Sequence, residues 1–188
     1  MDEIGKVDES SWFFRNVVER RVALGYVGAV VFLLFACPTR LSVFVGFVPA
    51  FLGEALRTWS SGVILKRKAL ATEGPYRLVR NPLYVGNFLL ALGASLMAGR
   101  FWLVVVCLGV FVPMYRGLVA KEEKFLLKKY AEVFEEYCRT VPRFVPRHLP
   151  WPLPAARYDV RRMFVKHREW QAWAALYAGT LYLLFRAH

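Results

Sequence analysis

LYVGNFLLALGASLMAGRFWLVVVCLGVFVPMY, residues 83–115, contains a single charged residue, Arg100. The Gly99-Arg100 step divides it into two uncharged runs, Leu83–Gly99 and Phe101–Tyr115. A bilayer span needs about 20 apolar residues. Each run is slightly short, but flanking Lys and Arg side chains can extend it by snorkelling. Val22–Cys37 is likewise uncharged, Leu41–Leu56 is interrupted only by Glu54, and Pro38-Thr39-Arg40 joins them. Links this short force neighbouring helices to run antiparallel. Trp170–Phe185 is a weaker fifth run, uncharged and rich in Trp, Tyr and Leu. The expected fold is an all-α integral membrane protein. It has about five transmembrane helices, in two tight hairpins plus a C-terminal span, and a cytoplasmic helix after span four. Buried helices of a soluble bundle are the competing reading.

The composition bears on that choice. Of 188 residues 57% are hydrophobic, yet 26 Lys+Arg against 14 Asp+Glu leave a net charge of +12. A chain this apolar has ample surface to bury, which rules out disorder. Three cysteines make a disulfide-stapled secreted fold improbable on number alone. High apolarity and high basicity reconcile if the apolar residues sit in lipid and the cations on one side of it. With the N-terminus inside, five spans leave Arg40, Arg100 and Arg186 outside and the other 23 of 26 cations cytoplasmic. Trp12, Trp102, Trp170 and Trp173 fall near span ends, where indoles favour the interface. The first run begins 21 residues in, without a small-x-small pattern after it, so it is expected to be a span and not a cleaved leader.

Residues 1–188 are read as one membrane-embedded domain. Residues 1–21 form an amphipathic lead-in, and 57–82 a basic loop. Residues 116–169 hold a charged helix over about 119–138 and a Pro-rich strap from Val141 to Pro154. Asp159 to Glu169 has the spacing of an interfacial helix.

Soluble-enzyme signatures are missing: there is no G-x-G-x-x-G after a strand, Walker loop, H-E-x-x-H or G-x-S-x-G. Cys37, Cys107 and Cys138 are scattered, and His148, His167 and His188 lie far apart, so neither a metal site nor a His-centred base is expected. Two polar islands remain. The first, from Glu73 through Gly74, Pro75, Tyr76, Arg77, Arg80, Asn81, Pro82 and Tyr84 to Gly86 and Asn87, leads into span three. Pro82 suits the first turn of a helix and Asn81 its N-cap. The open N–H groups there favour an anion. The bland reading is a capped helix start whose arginines touch lipid phosphate. The second island, Lys121-Glu122-Glu123-Lys124 onward, follows span four. Such Glu/Lys alternation ordinarily marks a solvated face. Glu122, where the helix leaves the membrane, could instead neutralise a cationic ligand. Glu54 and Asn87 are intramembrane polar residues and so functional suspects; Glu54 could equally pair with Arg57.

Together the islands resemble the isoprenylcysteine carboxyl methyltransferase and phospholipid methyltransferase family of integral-membrane methyltransferases. The first motif, roughly G-x-Y-x-x-x-R-H-P-x-Y-x-G, is matched by Gly74, Tyr76, Arg80, Pro82, Tyr84 and Gly86. The second, E-E-x-x-L-x-x-x-F-G-x-x-Y-x-x-Y and then V-P-R, falls on Glu122, Glu123, Leu126, Tyr130, Ala131, Phe134, Tyr137, Val141, Pro142 and Arg143, with a final Pro at Pro146; Tyr130, Ala131 and Phe134 are conservative or small-residue replacements. The resemblance covers about residues 60–146, within which the motif regions are 68–87 and 116–146. It implies an S-adenosylmethionine site built from helices and their cytoplasmic connections. Cofactor contacts carried across are Lys68, Ala69, Leu70, Ala71, Tyr76, Asn81, Pro82, Leu83, Tyr84 and Glu122, with Glu122 and Arg80 as catalytic candidates and no metal.

Two positions depart from the family. Its His before Pro is Asn81 here. The Arg that its carboxyl-methylating members carry four residues before the first Glu is Leu118. Arg116 lies six residues before Glu122 and points elsewhere on a straight helix. The expected activity is therefore S-adenosylmethionine-dependent methylation of a lipophilic or amphiphilic acceptor from the bilayer: isoprenylcysteine carboxylate-like, phospholipid amine or another lipid. Expected partners are that substrate and anionic lipids, and not nucleic acid. A multi-pass location with a cytoplasmic active site completes the expectation. The alternatives are an NADPH-dependent membrane reductase with a sterol-reductase-like core, and a non-catalytic lipid-anchored protein.

Overall fold

The computed structural model describes residues 21–63, 70–148, 156, 158–160, 163 and 169–188. Among these residues the regular structure is helical: α1 (Arg21–Phe35), α2 (Arg40–Val63), a 3₁₀ turn (Gly74–Arg77), α3 (Pro82–Met97), α4 (Phe101–Thr140) and α5 (Glu169–Arg186). Every apolar run of the sequence has become a helix. Two of them, α2 and α4, are long and apolar enough to cross a membrane. The α3 helix is apolar but shorter, with 16 residues, and α1 has 15.

The two expected tight turns are present, and they meet. Gly99 turns the chain at φ +69, a left-handed conformation that suits glycine. Cys37 N–H donates to Ala98 O at 2.8 Å and Ser42 Oγ to Met97 O at 3.3 Å, so both turns lie at one end of the bundle. The most intimate helix pair, however, is not within either hairpin. It is α2 against α3, antiparallel. Gly46 lies on Gly93 and Met97, while a Cβ at Gly53 would stand 2.6 Å from Gly86 O. Helices in lipid gain from packing backbone on backbone, and small residues allow that approach. The α5 helix runs back beside α2: Trp173 Nε1 donates to Thr58 Oγ1 at 2.9 Å, and Arg186 Nη1 to Leu33 O at 3.3 Å.

An apolar core sits toward the turn end, with Val43, Ala50, Met97, Leu103, Leu176 and Leu183 buried together. The outer faces of α2 and α4 stay apolar: Leu41, Phe44, Val48 and Leu52 on one, and Phe101, Val105 and Val110 on the other, are all exposed. A contiguous apolar exterior of this kind calls for an apolar surrounding.

Three boundaries differ from the sequence reading, each for a visible reason. The α2 helix runs on to Val63, through the first seven residues assigned to the 57–82 loop. Its polar residues there serve the helix: Ser60 Oγ donates to Leu56 O at 2.6 Å and Ser61 Oγ to Thr58 O at 3.0 Å. The charged helix expected over 119–138 is not a separate element. It continues α4, whose Pro113 is tolerated inside the helix. The break in α4 falls at Ala131 (φ 42, ψ −119), in the place where the family motif has glycine. The strap over 141–148 is irregular, as its prolines require. All of the 1–21 lead-in but Arg21, together with Lys68, Ala69 and most of Asp159–Glu169, lies outside the described residues.

Candidate functional site

The two polar islands come together at the end of the bundle opposite the turns. The backbone fixes their register first. Arg80 N–H donates to Pro142 O at 2.8 Å, which ties the start of α3 to the strap after α4. Tyr137 Oη donates to Tyr76 O at 2.6 Å, tying α4 to the 3₁₀ turn. Pro82 occupies the first turn of α3 as expected. Asn81 stands at the N-cap position, but its side chain does not cap; its backbone carbonyl accepts from Tyr84 and Val85 N–H, both at 3.1 Å.

The Asn81 amide is directed instead at a carboxylate. Glu123, 1% exposed, accepts from Asn81 Nδ2 at 3.4 Å. Arg143 forks onto the same carboxylate, Nη2 to Oε2 at 2.6 Å and Nε to Oε1 at 3.2 Å. Arg80 Nη1 lies 3.4 Å from Oε1 and reaches Cys138 Sγ at 2.6 Å. A buried carboxylate facing two guanidiniums is held by charge-assisted bonds in a medium of low polarisability. Sequence reasoning singled out Glu122 and passed over Glu123. The signal was present in helical phase: Glu123 shares a side of α4 with the buried Val119 and Ala120, whereas Glu122 stands at its flank.

Glu122 itself is half-buried. Its charge acts on Tyr76, whose ring is 6% exposed and whose hydroxyl has no hydrogen-bond partner. Burial first, then the Glu122 carboxylate and then Tyr137, hold the Tyr76 phenol well above its ordinary range. The hydroxyl therefore keeps its proton and can only gain from an acceptor placed against it. Tyr84 extends the site toward the apolar part of the bundle. Its ring meets Tyr115 edge-on at 5.3 Å, Tyr115 stacks on Phe111 at 3.8 Å, and Phe111 meets Phe88 at 5.6 Å. Leu83, Leu70 and Ala71 are half-buried. The structure thus brings Tyr76, Arg80, Asn81, Pro82 and Glu122 to one end of the bundle.

A second polar cluster lies within the helices. Arg57 Nε stands 3.2 Å from Glu54 Oε2, its Nη2 3.1 Å from Glu169 Oε2, and its Nη1 bonds Asn87 Oδ1. The Glu54–Arg57 pairing is the alternative the sequence left open. Asn87 and Glu169 join it from α3 and α5.

These features define a helical bundle with apolar outer faces and a carboxylate- and tyrosine-bearing site at one end. Residues 51–133 match the family described as phospholipid methyltransferase. The chain is 38% identical over 104 residues to the cobalt-zinc-cadmium resistance protein CzcN of Cupriavidus metallidurans, covering 54% of this chain and 48% of that protein. It is 32% identical over 96 residues to the protein-S-isoprenylcysteine O-methyltransferase of Schizosaccharomyces pombe, covering 50% and 41%. A shorter match, 32% over 84 residues, is to the Delta(14)-sterol reductase TM7SF2 of Mus musculus, covering 42% of this chain and 19% of that protein. No solved structure matches significantly. Through residues 51–133 the chain is similar to the phospholipid methyltransferase family, and across half its length to an isoprenylcysteine methyltransferase. It spans about half the length of the curated relatives it matches.

Proposed function

We propose that the protein is an S-adenosylmethionine-dependent methyltransferase, multi-pass in the membrane, acting on a lipophilic or amphiphilic acceptor at a site facing the cytoplasm. The observation that carries the reading is the buried Tyr76 hydroxyl without a partner, set beside the Glu122 carboxylate in the segment matched to a methyltransferase family.

The residues fit the cofactor. Bound S-adenosylmethionine would supply a methyl group on a sulfonium, whose positive charge is lost as the methyl leaves. Glu122 offers that charge a counter-ion, and the faces of Tyr76 and Tyr84 offer cation–π contact. Tyr76 Oη offers a hydrogen bond to a polar group of the ligand. Glu123 does not need to touch the ligand. With Arg80 and Arg143 it fixes Asn81 and the start of α3, so that Tyr76 and Tyr84 are already oriented when the ligand arrives. The half-buried rings of Tyr84, Tyr115, Phe111 and Phe88 form an apolar cluster between α3 and α4 against which the body of an acceptor would pack. Leu118, half-buried one turn before Glu122, offers no cation to an acceptor carboxylate. The cytoplasmic placement rests on the segregation of cations in the sequence.

The test is transfer of labelled methyl from S-adenosylmethionine into a lipid extract by the purified protein, followed by fractionation. A labelled lipid fraction that Glu122→Gln fails to produce supports the reading; a well-folded protein that labels nothing contradicts it. The likeness to a sterol reductase keeps one other reading alive, reduction with NADPH at the same end of the bundle. NADPH oxidation coupled to an unsaturated lipid would favour it.

A further inference from the structure

The charged residues at the start of the polar part of α4 do not alternate around the helix. At about 100° per residue, Lys121, Lys124, Lys128 and Lys129 fall on one face with Phe125 near its middle, and the buried Glu123 lies opposite. Phe125 is 58% exposed. Lys121, Lys128 and Lys129 are exposed around it and Lys124 is half-buried. An aromatic ring centred among cations is poorly suited to water and well suited to a lipid interface. There the ring reaches the acyl boundary and the ammonium groups reach phosphate.

The height of this face along α4 agrees. The helix starts at the turn end with Phe101, 82% exposed, followed by Trp102, and it is unbroken as far as Ala131. At about 1.5 Å per residue Phe125 stands about 36 Å above Phe101. The hydrocarbon layer is about 30 Å thick, and about 40–45 Å with its headgroups. A helix entering the hydrocarbon at Phe101 therefore brings Lys121, Lys124 and Phe125 into the opposite headgroup layer, with Lys128 and Lys129 just outside it, where their long side chains can reach back to phosphate.

We propose that the face formed by Lys121, Lys124, Phe125, Lys128 and Lys129 is a docking surface for anionic phospholipid headgroups of the membrane that holds the protein. It would hold the polar end of α4, and with it Glu122 and Glu123, at headgroup depth. The proposal concerns binding alone and stands apart from the methyl-transfer reading.

The full chain is reconstituted in bilayers of equal parts phosphatidylcholine and phosphatidylglycerol, extracted in mild detergent, and its retained lipids are counted by mass spectrometry. Phosphatidylglycerol should be enriched several-fold over phosphatidylcholine. High salt should reduce the enrichment. Changing the four lysines together (Lys121→Gln, Lys124→Gln, Lys128→Gln, Lys129→Gln) should remove most of it. The double change Phe125→Ser with Lys128→Gln makes the same test with less disturbance and should lower the enrichment at least twofold. Equal retention of both lipids by the unaltered protein, or undiminished enrichment in a folded variant, overturns the proposal.

Discussion

Removing the hydroxyl of Tyr76 should cost the fold nothing. Its oxygen is buried without a partner, so Tyr76→Phe should leave thermal stability unchanged or raise it by up to about 1 kcal/mol. Affinity for S-adenosylhomocysteine should nevertheless fall, and calorimetry on the same preparations reads both. Glu123 makes the opposite prediction. Glu123→Ala would strip two guanidiniums of their buried counter-charge and should destabilise the fold by about 3–5 kcal/mol, read by thermal unfolding in detergent. Glu122→Gln should leave the fold intact and weaken ligand binding; unchanged affinity would remove Glu122 from the site. Leu118→Arg places a cation one turn before Glu122 and should retain cofactor binding while admitting a carboxylate acceptor. At this scale the motifs were legible but the division of labour was not. Two adjacent glutamates differ in a sequence only by helical phase, and the packing of α4 shows that Glu123 is the buried one. Arg143, 20 residues beyond Glu123 in the chain, is the other half of that difference.

Helix α4 carries strain at one residue. Ala131 has φ 42 and ψ −119, a conformation that glycine adopts freely and alanine resists. Ala131→Gly should stabilise the protein by about 1 kcal/mol, seen as a higher midpoint in thermal unfolding. A lower midpoint would mean that the bend is not held as described. The contact of α2 and α3 is the converse case. A side chain at Gly53 would meet the backbone of Gly86, so Gly53→Val should separate the pair and sharply reduce folded yield. The helices themselves were plain in the sequence, because apolar runs and charged turns set them. Their ends were less so: Thr58, Ser60 and Ser61 look like loop residues, yet they bond back to their own helix or to Trp173. Such local bonding leaves no periodic trace.

For the whole molecule, the excess of cations and the abundance of apolar residues have separate homes. The apolar exterior covers the turn end and middle of the bundle, and charge gathers at the other end around Glu123 and on the Lys121–Lys129 face. The pairing of α2 with α3 was hidden because the residues that carry it are 33 to 47 positions apart, Gly53 with Gly86 and Gly46 with Gly93. Short turns identify neighbours in sequence, whereas close packing selects neighbours by size. The same limit hid the Arg57 cluster, which draws Glu54, Asn87 and Glu169 from three helices. Isothermal titration of the detergent-solubilised protein with S-adenosylhomocysteine, and separately with NADPH, tests the proposed site most directly. Saturable binding of S-adenosylhomocysteine, weakened by Glu122→Gln and Tyr76→Phe and without binding of NADPH, is the predicted result. Binding of NADPH instead, or of neither ligand by a folded protein, would contradict it.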